Sequence, residues 1–202
     1  MNAFVSQRAV DWTYHLSAFG RTYAERVDAG AKDGVEADTV TVGGSIGGSI
    51  GRVSLILDGK LYIEGDATGL AQDAGFTAAA AQNEANKWIA VPKSSPEFSL
   101  SGGMTVPTAV NQLYIGGKIK TLPPTKIDGQ AVLAVNETTK SNGFTISETV
   151  YIKATGVPLP LEVVQNIEGL QAKIVYGPWD KPPAAFVPQG SVAIHTSWIA
   201  KS

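Results

Sequence analysis

Cysteine is absent from the chain, which removes disulfides, thiolate metal sites and a thiol nucleophile together. Histidine is nearly so: His15 and His195 are distant in sequence and offer no pair at metal-ligand spacing. A charge of one sign is missing as well. Sixteen Lys and Arg stand against 18 Asp and Glu, for a formal net charge of −2, so no basic surface is presented and no nucleic-acid partner is expected. No apolar run reaches membrane-spanning length, and MNAFVSQRAVDW lacks the apolar core of a secretory leader. No phosphate-binding glycine loop or dinucleotide fingerprint occurs either. What remains is a chain of 202 residues, a size suited to a single domain over 1–202.

What is present is alternation. Phe144, Ile146, Val150 and Ile152 share one face against Thr145, Ser147, Thr149 and Lys153, the period of a half-buried strand. Past Gly156-Val157-Pro158 the pattern resumes as Leu159, Leu161, Val163 and Ile167, and after Gly169 as Leu170, Ala172, Ile174 and Tyr176. Earlier, Val10, Trp12, Tyr14 and Leu16 alternate with Asp11, Thr13, His15 and Ser17. A charged partner strand is expected over 21–31, exposed on one face, then strands over 35–42, 52–57 and 60–64, the last two joined across Asp58-Gly59. The period changes at Asp66. Residues 66–73 and 76–86 are Ala-rich and free of proline, and read as one broken or two short helices. Short helices are also expected after Ser95-Pro96 and from Thr105 to Leu113, with WIAVP a strand between. Strands return over 119–121 and 126–136, and residues 191–202 form a last short strand or packed tail. The expected class is α+β, a strongly curved antiparallel sheet or half barrel, with short helices covering its concave face.

Four stretches, in order, carry a resemblance: GKLYIEGD at Gly59 to Asp66, KWIAVP at Lys87 to Pro92, VYIKATGVPLPLEV at Val150 to Val163, and YGPWDKPPAAFVP at Tyr176 to Pro188. The ordered set resembles a family of actinobacterial cell-envelope lipoproteins that carry lipids, related in fold to the periplasmic lipoprotein carrier. The resemblance implies a half barrel with an apolar cavity between sheet and helices. It also implies an extracytoplasmic place at the bacterial cell envelope, with leader and lipidated cysteine outside this chain. A lipid or other apolar molecule is then the expected ligand, and the membrane surface a partner reached through such an anchor.

A sheet bent this far does not fill its hollow with its own side chains, so the helices or a ligand must. Residues expected to line such a cavity are Leu55, Leu57, Leu70, Phe76, Trp88, Met104, Val110, Leu113, Leu133, Ile146, Ile152 and Leu161. The bland alternative is that they pack against one another as core. Two overlapping G-x-S-x-G matches offer Ser45 or Ser49 as a nucleophile. The elbow needs a helix after the serine, whereas RVSLILDG reads as strand, so a Gly/Ser turn is the better reading. Carboxylate pairs such as Glu162 with Glu168, or Asp128 with Glu137, read as solvated. No catalytic residue, metal or cofactor is expected. The function expected is non-enzymatic carriage of an apolar ligand; the alternative is an interaction scaffold with a filled core.

Overall fold

The computed structural model describes residues 6–18, 20–42, 45–48, 51–56, 59–112, 118–141 and 143–200. Alternating β-branched and aromatic residues form β1 (Ala9–Ala18), which turns at Gly20 into β2 (Arg21–Gly30) and then β3 (Gly34–Val42). Next come β4 (Ser45–Gly48), β5 (Arg52–Ile56) and β6 (Lys60–Glu64). The Ala-rich stretch gives α1 (Ala67–Gln72) and α2 (Ala78–Glu84). Each starts where a side chain satisfies an orphan amide: Asp66 Oδ1 accepts from Gly69 N at 2.7 Å, and Thr77 Oγ1 from Ala80 N at 3.3 Å. Strand β7 (Ile89–Pro92), a 3-10 helix over Pro96–Ser101 and α3 (Val106–Gln112) follow. Thr105 and Thr108 cap α3 reciprocally, each hydroxyl accepting from the other's backbone amide at 3.4 and 3.0 Å.

The chain then returns to strands: β8 (Lys118–Thr121), β9 (Thr125–Ile127), β10 (Gln130–Ser141), β11 (Phe144–Lys153), β12 (Pro160–Ile167) and β13 (Leu170–Trp179). A short β14 (Val192–Ala193) and a 3-10 turn over Thr196–Trp198 end it. One departure from expectation is that 126–136 is not one strand. Asp128 and Gly129 both take positive φ, 48° and 79°, and turn β9 into β10 as a tight hairpin.

All strands belong to one sheet, ordered β14-β7-β6-β5-β3-β2-β1-β13-β12-β11-β10-β8, with β4 on β3 and β9 on β10. Neighbours are antiparallel except β14 with β7. The path does not close on itself among the described residues, and the sheet is a curved half barrel.

Directly opposed residues share a face, so register carries one face across the sheet. Ile174 opposes Tyr14 and Val163; Val163 opposes Val150; Val150 opposes Val135. The helices cover that face, leaving two cores. Leu61, Ile63, Ile89 and Val91 pack with Leu70, Phe76, Ala81 and Met104 of the helical layer. Val10, Trp12, Val27, Val150, Val163 and Ile174 pack with Val106 of α3.

Candidate functional site

Three rungs of β1, β2 and β3 build the main hollow. Trp12, Val27 and Glu36 oppose one another, then Tyr14, Glu25 and Asp38, then Leu16, Tyr23 and Val40. Asp73 past the end of α1, with Ser99, Leu100 and Gly102 at the 3-10 helix, stands over the last two rungs and Glu36. The result is an open-sided hollow of about 470 Å³ between the sheet and the helical layer. Tyr14, Leu16, Tyr23, Val40 and Leu100 supply aromatic and aliphatic wall, and Glu25, Glu36, Asp38 and Asp73 supply acidic wall, with Tyr14 on the rung that carries Glu25 and Asp38.

Carboxylate oxygens of Glu25, Glu36 and Asp38 all lie within 4.8 Å of one another, and Glu36 is only 6% exposed. Burial first, then the charges of Asp38 and Glu25 and a hydrogen bond to Asp38, hold the Glu36 carboxyl well above the usual range. Burial, with the Asp38 charge second, pushes Glu25 up to about 7. Burial likewise raises Asp38 to about 6, although the hydrogen bond it accepts from Glu36 opposes the shift. Glu36 and Asp38 therefore titrate as a pair, both held above the ordinary carboxylate range. The spacing is short enough for a cation, but a hydrogen-bonded carboxyl pair is a proton-sharing arrangement, as in carboxyl dyads. Asp73 is raised by burial and by Asp66, and Tyr14 by burial and Glu25. Among the described residues no Lys, Arg or His lines the hollow.

These shifts fix a pH dependence of stability. Near neutrality the folded state holds protons that the unfolded chain has released, so the contribution of these groups to stability is fully present below the unfolded carboxylate range. It is lost as pH rises through the folded values of about 6 and 7. Each pKa unit corresponds to about 1.4 kcal/mol. A thermal melt series is expected to show Tm falling by about 5 °C between about pH 5 and about pH 8, and Glu25→Gln should flatten it. A Tm that is level or rises across that window contradicts the assignment.

A second acidic island lies farther along the same face. Glu137 opposes Glu148, and Glu148 opposes Gln165, whose Nε2 donates to Glu148 Oε2 at 2.7 Å. Burial raises the Glu148 carboxyl. Glu137, expected in solvent, is instead 6% exposed. Val135, two residues before it on the same strand, lies in an apolar run without alternation, so the strand gave no phase for Glu137.

The residues expected to line a cavity are dispersed. Leu70, Phe76 and Met104 are packed together in the helical-layer core, and Ile152 lies against the other core. Trp88 makes an edge contact with Phe186 at 5.4 Å between ring centroids. Ile146 is half-buried opposite Ile167. Leu161 lies at the irregularity where Tyr151 opposes Glu162 but Ile152 opposes Pro160, and lines a separate recess with Ile127, Lys173 and Val175. Leu133 opposes Ile152 yet stands 48% exposed. Leu55 and Val110 are placed in β5 and α3 by backbone alone, and Leu57 and Leu113 lie outside the described residues, as does Ser49. None of the described ones lines the main hollow. Ser45 begins β4, a strand paired with β3, not a turn into a helix.

No protein-family model and no curated protein matches the chain. Among solved structures it is similar to lipoprotein LppX of Mycobacterium tuberculosis, with 15% identity and a TM-score of 0.55 over 92% of this chain and 93% of that one. It is also similar to LprF of Mycobacterium bovis, with 12% identity and a TM-score of 0.55 over 94% and 93%. At such identities the likeness is one of fold: the half barrel is shared over nearly the whole length of each chain.

Proposed function

We propose that this chain is a non-enzymatic carrier of a lipid or other apolar molecule, working outside the cytoplasm at the bacterial cell envelope. The observation that carries the proposal is the hollow of about 470 Å³ between sheet and helices, within the range of small-molecule sites. Its Tyr14, Leu16, Tyr23, Val40 and Leu100 walls suit an alkyl chain. Each methylene buried there adds about 0.8 kcal/mol, and the open side leaves a polar end in water. Fold likeness to a lipoprotein is consistent with that location and with a carrier role. The competing reading, a scaffold with a filled interior, is favoured by the tight packing of Leu70, Phe76 and Met104. Organic extraction of protein purified from its native source, followed by mass spectrometry, separates the two. Carriage predicts an apolar molecule recovered at near one per protein; repeated recovery of none supports the scaffold.

A further inference from the structure

We propose that Glu25, Glu36 and Asp38 make the hollow a proton-controlled site, holding an uncharged apolar ligand while their carboxyls are protonated and releasing it as they ionise. This rests on the carrier reading and adds its regulation. The basis is geometric. The three carboxyls converge within 4.8 Å on the wall of the same hollow that Leu16, Val40 and Leu100 line. A ligand reaching those residues covers the cluster and takes its water away.

Among the described residues that line the hollow, no charged or titratable group neutralises the cluster. From β1 comes Tyr14; from β2, Tyr23 beside Glu25 itself; from the end of α1, Asp73, with Asp66 behind it. The 3-10 helix contributes Ser99 and Leu100, neither ionisable. Arg26 pairs with Asp28, whose register opposite Asp11 and Val35 places it on the other face. Protonated, the three carboxyls can satisfy one another, as Glu36 and Asp38 do, and the wall is close to neutral. Ionised, they repel one another and demand hydration, which an apolar ligand blocks. Their elevated values place the change near neutrality, with Glu25 at about 7 and Asp38 at about 6. Binding must then take up protons.

The test is fluorescence titration with an uncharged pyrene-labelled alkane at about pH 5 and about pH 8, the fold being checked at each pH by circular dichroism. The expected result is at least tenfold tighter binding at the acid pH, with the Glu25→Gln, Glu36→Gln, Asp38→Asn variant binding alike at both. Equal wild-type affinity at both pH values overturns the proposal, as does a triple variant that keeps the difference. If the triple variant does not fold, calorimetry of the wild-type protein in buffers of different ionisation enthalpy decides: net proton uptake near pH 7 supports the switch, and none overturns it. No binding at any pH overturns the carrier reading itself, which is a distinct outcome.

Discussion

Replacing Gly34 with alanine is expected to cost about 3 kcal/mol of stability, at the upper end for overpacking a core, and to lower Tm by roughly 6 to 12 °C. Gly34 is the first residue of β3, paired with Ala29 and Leu55. A Cβ there would be driven into the carbonyl oxygen of Met104 and sit 3.1 Å from its Cβ. Neither atom yields cheaply. Met104 is fully buried in the helical-layer core, and the next residue, Thr105, is bridged to Gly30. Gly34 is thus where the helical layer is pressed against the sheet, and the substitution pushes the layer off the hollow it covers. Gly75→Ala is the control: its φ of +72° carries strain but nothing lies within 4 Å, so about 1 kcal/mol is expected. Urea denaturation of both variants checks this; a Gly34→Ala protein no less stable than the Gly75→Ala protein contradicts it.

The sheet was legible in the sequence because its strands alternate and its turns carry glycine. Val10 to Leu16 and Leu170 to Tyr176 set their own phase, and the structure buries the residues so expected or leaves them half-buried on the shared face. Where apolar residues run together, phase is lost. Ala131 to Val135 offers no alternation, and register puts Leu133 opposite Ile152 while burying Val132 and Ala134 on the other side. The Asp128-Gly129 hairpin carried the same signal as Asp58-Gly59, but was read through because the flanking residues suit one long strand.

The acidic wall of the hollow was missed for a different reason. In β2 charged residues occupy both faces, so an expected exposure on one face does not say which of them turn inward. Val27 and Ala29, both fully buried, fix the inward phase and with it Glu25, so that part was recoverable. Its meeting with Glu36 and Asp38 depends on the β2–β3 register, set by a turn in which Gly30 N donates to Asp33 O at 2.7 Å. Nothing local to either strand announces that pairing. Conversely, apolar character located Leu70, Phe76 and Met104 in the interior, but burial by itself does not separate a wall from a filling.

The account stands on the hollow over β1 to β3 being the place where the ligand sits. Leu16→Trp with Val40→Trp puts two indoles into it from β1 and β3, on one rung and either side of Tyr23 of β2. Both positions are only partly buried, so the rings enter space the ligand would use rather than a packed core. Titration of the uncharged pyrene-labelled alkane at about pH 5 is the direct measurement, with Tm recorded alongside. The account predicts binding by the wild-type protein and at least tenfold weaker binding by the double variant, with Tm changed by no more than about 4 °C, the equivalent of about 1 kcal/mol. Equal affinity in the two proteins would contradict it.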